Sequence, residues 1–384
     1  MAHSIPLRRA RLAAAWPVVA QAATRAPGAA LDITGARSWT VREPVSRRTY
    51  TVVRIDTRAG LSGYGECAAL SAAEFEGAVR AITGVPATSF EAVAPLLAAY
   101  PTARAALNTA MLDVAGKAAK APVFQLLGGP TRAKARALAQ LTGDSDAALI
   151  ASMKRAHAAG FRAFSVPVPA TLYRNQGQAY VLATQRRLNA LREAAGDDCD
   201  FVLDGENRLT PGDAQMVSAA IERFHVMWFN EPCPTVNLSA LARIAGENVT
   251  PVGLGRHVRD AAEIQDLLRH DAVDIIRPDL GINGISQVRR MAAIAEVYYV
   301  AAGPVHNGGP IGTAAALHLA ASIPNFFIQQ IPLPEADEDR RMRAELTGRS
   351  IETVNDGFAE LPVGAGLGIT VNEQALEKYK EAAA

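Results

Sequence analysis

Polar residues recur at a near-constant interval in the second half of this chain, each at or just after the end of a short apolar run. These positions are Asp204, Asn230, Arg256, Asp279, His306 and Gln330, and successive members are 23 to 27 residues apart. That interval is the length of one strand, one helix and two short loops. The repeat therefore predicts alternating strands and helices from about residue 135 onward.

The segments between the apolar runs have helical periodicity. Ile264, Leu267 and Leu268 share one helical face, and residues 288, 291, 292 and 295 share another. The strands are apolar throughout, as expected when both faces of a sheet are covered. Segments 136–141 and 162–168 supply two further strands, so about eight units are present, which predicts a closed (β/α)8 barrel.

A doubly wound open sheet has the same period and is the alternative. It usually carries a Gly-rich phosphate loop after an early strand. The richest glycine stretch in this chain, residues 303–312, comes late and does not match GxGxxG. The barrel is therefore the favoured fold, and its active site is expected at the carboxyl ends of the strands, where the polar residues fall. A single Asn230 or Asp279 is typical of a helix cap, but the whole ring is not.

Charge and cysteine content narrow the class of protein. Lys and Arg total 39 against 38 Asp and Glu, so the net charge of +1 argues against a nucleic-acid or membrane surface built on bulk charge. Three cysteines without CxxC spacing indicate neither a disulfide framework nor a zinc site, which favours the cytoplasm. Residues 1–22 have the outline of a secretory leader with a short, interrupted apolar run; a cleaved leader would place the protein in the periplasm.

Four segments resemble one known family. They are "TVVRIDTRAGLSGYGE" (51–66), "AALNTAMLDVAGKAAKAPVFQLLGG" (105–129), "RPDLGINGISQVRRMAAIAE" (277–296) and "HNGGPIGTAAALHLAASIPNFFIQ" (306–329). From about residue 31 onward the chain resembles the enolase superfamily, in the mandelate racemase and muconate lactonizing enzyme branch.

The resemblance implies an α/β fold, a modified (β/α)7β TIM barrel with an α+β capping domain. Residues 1–30 would be an N-terminal extension, 31–130 the capping domain, 131–354 the barrel, and 355–384 a C-terminal segment completing the cap. It also implies a homo-oligomer that acts on a small carboxylate, with no nucleic-acid or membrane partner.

The family holds Mg²⁺ with three carboxylates from the third, fourth and fifth strands, and this chain keeps one of them. Asp204 matches the first ligand, whereas Asn230 and Arg256 stand at the second and third positions. A divalent ion about 4 Å from a guanidinium is repelled by about 8 kcal/mol at an effective dielectric of 20. We therefore expect Arg256 to pair with Asp204 in place of the family's Mg²⁺, and no resident cofactor. Glu206 is the main rescue candidate for a metal site, because a continuing strand would turn it the same way as Asp204. Glu231 alternates away from Asn230 and is a poorer candidate, and His257 could add a nitrogen ligand.

The base is expected to be a His-Asp dyad. The second strand carries Ser165 and Pro167 where the family's Lys-x-Lys pair would stand, but His306 and Asp279 fill the dyad positions on the seventh and sixth strands. A carboxylate on Nδ1 would leave Nε2 of His306 free to remove a proton.

One base favours elimination over racemisation, which predicts an acid-sugar dehydratase acting on the α-proton of a hydroxycarboxylate. The alternatives are a metal-independent isomerase or cycloisomerase and a non-catalytic carboxylate-binding protein.

Substrate contacts are expected from two loops and two strand ends. Segment 36–48 is a candidate lid, with Trp39 and Arg42 as contacts, and a surface strand with a basic turn is its equal alternative. The insertion 169–178 offers Tyr173 and Arg174. His257 and Gln330 would contact the substrate from the ends of the fifth and eighth strands.

Overall fold

The computed structural model of the protein describes residues 29–170 and 175–381. The predicted leader (1–22), nearly all of the predicted extension (1–30), and the proposed contacts Tyr173 and Arg174 lie outside these residues.

The N-terminal part is an antiparallel sheet packed on helices. Its strands are β1 (Ile33–Arg42), β2 (Thr49–Thr57) and β3 (Ser62–Cys67), and its helices are α1 (Ala72–Ile82), α2 (Pro101–Ala119) and α3 (Val123–Leu126). Strand β3 lies directly on α2. A Cβ atom at Gly65 would lie 2.0 Å from the carbonyl oxygen of Ala106, so only glycine permits this approach.

The parallel strands form a closed barrel. They are β4 (Lys134–Gln140), β5 (Ala163–Pro167), β6 (Asp200–Asp204), β7 (Phe229–Asn230), β8 (Val252–Leu254), β9 (Ile275–Ile276), β10 (Ala301–Ala302) and β11 (Gln329–Gln330). Each of β4 to β9 pairs with the next strand in order. Ala302 of β10 forms a parallel bridge with Phe326, three residues before β11, and β11 pairs with β4. The predicted barrel is confirmed.

Helices surround these strands. They are α4 (Asp146–Ala158), α5 (Gln178–Ala195), α6 (Pro211–Ile221), α7 (Leu238–Glu247), α8 (Ala261–Arg269), α9 (Leu280–Val297), α10 (Pro310–Ala320), α11 (Asp337–Thr347) and α12 (Glu373–Lys378). Ile264, Leu267 and Leu268 are the buried face of α8, and the four residues expected on one face of α9 are buried. The helical periodicity therefore identified the faces that cover the barrel.

Two barrel strands end earlier than the sequence predicts. Strand β9 ends at Ile276 rather than Asp279, and β10 ends at Ala302 rather than His306. Pro278 and Pro304 follow these ends, and a proline has no N–H to donate to the next strand of a ladder. Asp279 consequently lies at the start of α9 and His306 in the loop before α10.

The end of the chain returns to the N-terminal sheet. A hairpin of β12 (Val354–Asn355) and β13 (Phe358–Glu360) pairs antiparallel with the N-terminal end of β4. Lys380 then forms an antiparallel bridge with Val41, and the Glu381 N–H donates to the Thr40 carbonyl at 2.8 Å.

In the described residues, no helix is long and apolar enough to cross a membrane. The homo-oligomer and the cytoplasmic location stay predictions.

Candidate active site

An ion pair joins two strand ends at the mouth of the barrel. Arg256 follows β8, and its guanidinium Nη2 donates to the Asp204 carboxylate at the end of β6. The side chains are only 14% and 2% exposed. Burial opposes the cation, but Asp204 outweighs burial and raises the pKa of Arg256. The pair that the sequence predicts is therefore formed, at the position where the family resemblance implies a metal ligand.

Glu231 fixes the backbone that carries Arg256. Its Oε1 accepts from the N–H groups of Gly255 at 2.9 Å and Arg256 at 2.7 Å. Its own backbone is left-handed, with φ of +43°, so the chain turns sharply after β7. Burial raises the pKa of Glu231, although Arg256 opposes the rise. Apart from weighing it as a poorer metal ligand, the sequence analysis did not assign Glu231 a role at the active site. The feature that could have indicated one is a carboxylate directly next to a strand-end position.

Asn230 is oriented by two donors. Its Oδ1 accepts from Trp228 Nε1 and from Arg277 Nε, both at 3.2 Å, and the residue is completely buried. An amide oxygen that faces two N–H groups has no lone pair directed at a cation. Asn230 is therefore not available as a metal ligand, which corrects its assignment as an inherited metal position.

Arg277 is a buried cation that the sequence reasoning missed. Its guanidinium, fully buried, donates to Asn230, to the Gly303 carbonyl at 2.6 Å and to Gln330 Oε1 at 2.9 Å. Among the described residues, no carboxylate forms a salt bridge with it. Burial, with help from Arg256, lowers its pKa to about 9, so the group is still cationic at neutral pH. The sequence feature that could have identified Arg277 is a charged residue inside the apolar run "VDIIRPD".

Gln330 belongs to the same network rather than to a substrate contact. It is 2% exposed, and its Nε2 donates to Gln140 Oε1 at 3.3 Å and to Asn307 Oδ1 at 2.6 Å. With Arg277 on its Oε1, both ends of the amide are occupied. The structure therefore gives Gln330 a role in holding Arg277.

The His-Asp dyad is not assembled. The Asp279 carboxylate accepts from the Gly281 N–H at 2.7 Å and caps the N-terminus of α9. His306 places Nε2 2.9 Å from the Gly309 carbonyl oxygen, and its Nδ1 finds no hydrogen-bond partner in the part of the chain that the structure describes. The predicted contact between Nδ1 and Asp279 is wrong because each side chain is held by its own loop.

The two residues also face different surroundings. Burial raises the pKa of Asp279 to about 6, opposed by the Gly281 and Ile282 N–H groups and by the charges of Arg256 and His257. Burial lowers the pKa of His306 to about 4, and the charges acting on it are those of Arg343, Glu352 and Arg48. Arg256 is therefore among the main charges that act on Asp279, whereas the main charges that act on His306 come from other residues.

A buried carboxylate from the N-terminal sheet explains the glycine-rich loop. Glu66 accepts from the N–H groups of Gly309 and Gly312, and burial raises its pKa to about 7. A Cβ atom on Gly312 would lie 2.2 Å from Cε1 of His306. These glycines therefore make room for Glu66 and His306.

The rescue route for a metal ion fails on geometry. Strand β6 ends at Asp204, and Glu206 has a left-handed backbone with φ of +52°. Its carboxylate pairs with Arg208 Nη1 at 3.0 Å. In residues 29–170 and 175–381, no group of three or more His, Cys, Asp or Glu side chains could hold a metal ion. The residues present do not fit Mg²⁺.

The proposed lid contacts lie elsewhere. Trp39 is 3% exposed and donates from Nε1 to Glu377 at 2.5 Å, and Arg42 pairs with Glu381. Both side chains tie β1 to the C-terminal segment, so neither is available to a ligand at the mouth. The surface-strand alternative describes this segment better.

His257 is exposed beside a cavity. The cavity has a volume of about 210 Å³, and its lining includes Glu231, Asn207, Thr235 and Glu263 as well as His257. It lies between the loops that follow β6, β7 and β8, next to Arg256. Carboxylate, amide and hydroxyl groups that line a space of this size can bind a small hydroxylated molecule.

Comparison with known families matches most of the chain. Residues 33–128 match the mandelate racemase / muconate lactonizing enzyme N-terminal domain, and residues 148–375 match the enolase C-terminal domain-like family.

Relatives and solved structures agree with these matches. The chain is 28% identical over 376 residues to D-galactonate dehydratase family member ManD of Chromohalobacter salexigens, covering 86% of this chain and 92% of that protein. It is 28% identical to D-xylonate dehydratase of Haloferax volcanii, covering 71% and 68%. A putative galactarate dehydratase of Agrobacterium radiobacter, solved with Na and L-malate, superimposes with a TM-score of 0.83 at 25% identity, covering 91% and 95%.

Proposed function

Because the chain belongs to the mandelate racemase and muconate lactonizing enzyme family of the enolase superfamily, we propose that it is a lyase that dehydrates an acid sugar without bound Mg²⁺. The observation that carries this proposal is the buried Arg256–Asp204 ion pair at the strand ends. The relatives named D-galactonate dehydratase family member ManD and D-xylonate dehydratase support the class of reaction.

Arg256 binds the substrate carboxylate in this proposal. A guanidinium is always charged and donates in a planar fork that matches a carboxylate. One face of the Arg256 fork is engaged by Asp204, and the rest is directed at the ligand. The hydroxylated chain of the substrate lies in the 210 Å³ cavity against Glu231, Asn207 and His257.

Asp279 and His257 carry the proton transfers. Asp279 removes the proton from C2, next to the carboxylate, and a carboxyl group with a raised pKa is a stronger base than an ordinary one. Negative charge develops on the carboxylate oxygens and is stabilised by Arg256. The C3–O bond then breaks, His257 donates a proton to the leaving hydroxide, and water departs. The enol that is left tautomerises to a 2-oxo acid.

An isomerase is less well supported. Racemisation needs a second base on the opposite face of the substrate carbon, and β5 presents Ser165 and Pro167 there. Neither group is a base at neutral pH. Elimination needs one base and one acid, which Asp279 and His257 supply.

The direct test is deuterium incorporation. The protein is incubated in D₂O with D-galactonate, D-xylonate and galactarate, with EDTA and separately with added Mg²⁺, and NMR follows the C2 proton and the 2-oxo acid. We expect turnover of at least one acid at a rate that EDTA does not change. Turnover that requires Mg²⁺ would overturn the metal-independent mechanism.

A non-catalytic carboxylate-binding protein is the second candidate. The observation in its favour is the separation of His306 from Asp279, since the family's base is not assembled. Binding of these acids without any exchange at C2 would decide for this candidate.

A further inference from the structure

Two buried hydrogen-bond donors at the barrel mouth have no acceptor. They are Nδ2 of Asn230 and Nε of Arg256, and neither finds a partner among the described residues. A buried donor without a partner destabilises the fold, so most such groups in native proteins are satisfied. Both belong to residues at positions where the family resemblance implies metal ligands, and both offer N–H groups rather than lone pairs.

Each donor is held in its orientation by the contacts around it. Trp228 and Arg277 both donate to Oδ1 of Asn230, so a flipped amide would direct its NH₂ at two other N–H groups. The amide therefore keeps Nδ2 on its opposite side. Arg256 is fixed at one end by Asp204 and at its backbone by Glu231, which leaves Nε uncommitted.

The two donors lie in one layer of the barrel. Asp204 pairs with Asn230 in the β6–β7 register, and Asn230 pairs with Gly253 in the β7–β8 register. Arg256 follows β8 and donates to Asp204 at the end of β6, and β7, which ends at Asn230, is the strand between these two. Arg277 donates to Asn230 and adds a positive charge that forms no salt bridge with any carboxylate of residues 29–170 and 175–381.

We propose that Nδ2 of Asn230 and Nε of Arg256 form a receptor for one anionic oxygen of the ligand's carboxylate, with the Arg277 charge behind it. The receptor rests on the proposed function and specifies how the carboxylate is held. It stabilises the oxygen on which charge develops as the C2 proton leaves. It selects small carboxylates and rejects cations, because both of its free groups are donors.

Asn230→Asp tests the receptor, and Gln330→Glu is its matched control. Each variant gives Arg277 a carboxylate partner in place of an amide oxygen. Only Asn230→Asp also removes the free donor, because Nε2 of Gln330 already has partners. Binding of L-malate and D-galactonate is measured by titration calorimetry in EDTA, and folding by thermal unfolding. We expect both variants to fold. Asn230→Asp should weaken binding by about tenfold or more, the effect of one hydrogen bond to a charged group, and Gln330→Glu by clearly less.

Three outcomes would overturn the receptor. If Asn230→Asp binds the two acids with wild-type affinity, the receptor is refuted, while the proposed function is unaffected. Equal losses in the two variants would show that the charge of Arg277 alone attracts the carboxylate. If wild-type protein neither binds nor turns over these acids, the proposed function fails and the receptor fails with it. Should Asn230→Asp not fold, Asn230→Leu replaces it, with the same loss of binding expected.

Discussion

Replacing Arg256 with Met should destabilise the fold much more than the loss of an ordinary surface charge. The Asp204 side chain is 2% exposed, and its other carboxylate contact is the Glu206 N–H at 3.0 Å. Removing one partner of a buried ion pair typically costs about 3–5 kcal/mol, because the remaining charge is uncompensated. The free energy of unfolding of most domains is only about 5–15 kcal/mol, so this loss is readily measurable.

A double variant distinguishes the energy of the ion pair from the other contributions of the Arg256 side chain to stability. Arg256→Met/Asp204→Asn removes both charges, and replacing a buried pair with neutral groups is often close to neutral in stability. We expect the double variant to lie within about 1 kcal/mol of the wild type. The coupling energy, which is the sum of the two single-variant losses minus the loss of the double variant, should then be at least about 2 kcal/mol. The deficit of Arg256→Met should shrink as the pH falls, since a proton can take the place of the lost cation on Asp204.

Urea unfolding followed by tryptophan fluorescence at pH 7.5 and pH 5 measures these quantities. Asp204→Asn completes the cycle. Arg340→Met is a control, since Arg340 is 45% exposed and its contacts are a salt bridge with exposed Asp337 and a hydrogen bond to the Pro334 carbonyl at 2.6 Å. A coupling energy under about 0.5 kcal/mol would be typical of a solvent-screened surface pair. That result would refute the view that Arg256 has taken over the buried position of a metal ion.

Three further predictions follow from the same contacts. The double variant Asn230→Glu/Arg256→Glu should still not bind Mg²⁺, because a carboxylate at position 230 would pair with Arg277. Adding Arg277→Gln should give Mg²⁺ binding that calorimetry detects. A triple variant that folds but does not bind Mg²⁺ would contradict the assignment of these strand ends. The rate of C2 exchange should rise with pH through about 6, because Asp279 must be deprotonated to act as the base, and Asp279→Asn should abolish exchange while wild-type ligand affinity remains. Burial in the folded state holds the pKa of His306 near 4, below the ordinary 6.5, so neutral His306 contributes stability above pH 6.5 that is lost as the pH falls to 4. In urea unfolding over that pH range, the wild type should lose about 3 kcal/mol more stability than His306→Gln. Parallel stability curves would show that His306 is not buried as described.

Repeat length and helical faces made the fold predictable from sequence. A strand, helix and loop unit of near-constant length predicts a barrel because it constrains how every strand pairs. The Arg256–Asp204 pair was predicted from the family resemblance, which implies metal ligands at both positions, together with the charge of Arg256.

Positions beyond the strand ends could not be placed in this way. Asp279 and His306 were expected on strands, but the regular ladders end before Pro278 and Pro304, and only a single bridge between Asp279 and Val305 follows in the described residues. Local backbone contacts then decide where each side chain turns. Trp39 was expected at a lid because aromatic and basic residues cluster near it. Its burial depends on the C-terminal segment more than 300 residues away, which no local pattern reports.

Arg277 escaped notice because it occupies a strand end between apolar residues and a proline, where a pattern of apolar residues predicts only burial. Its contacts connect the substitutions at the barrel mouth into one electrostatic system. Amides at 230 and 330 accept from Arg277 without neutralising it, and Arg256 neutralises Asp204. The ion pair contributes no net charge. The Arg277 guanidinium adds a positive charge, on which the nearby carboxylates of Glu231 and Asp279 also act, and this cation complements a carboxylate and repels a divalent cation. An acid restored at position 230 would meet Arg277 before it met a metal ion, so no single reversion can recover a Mg²⁺ site.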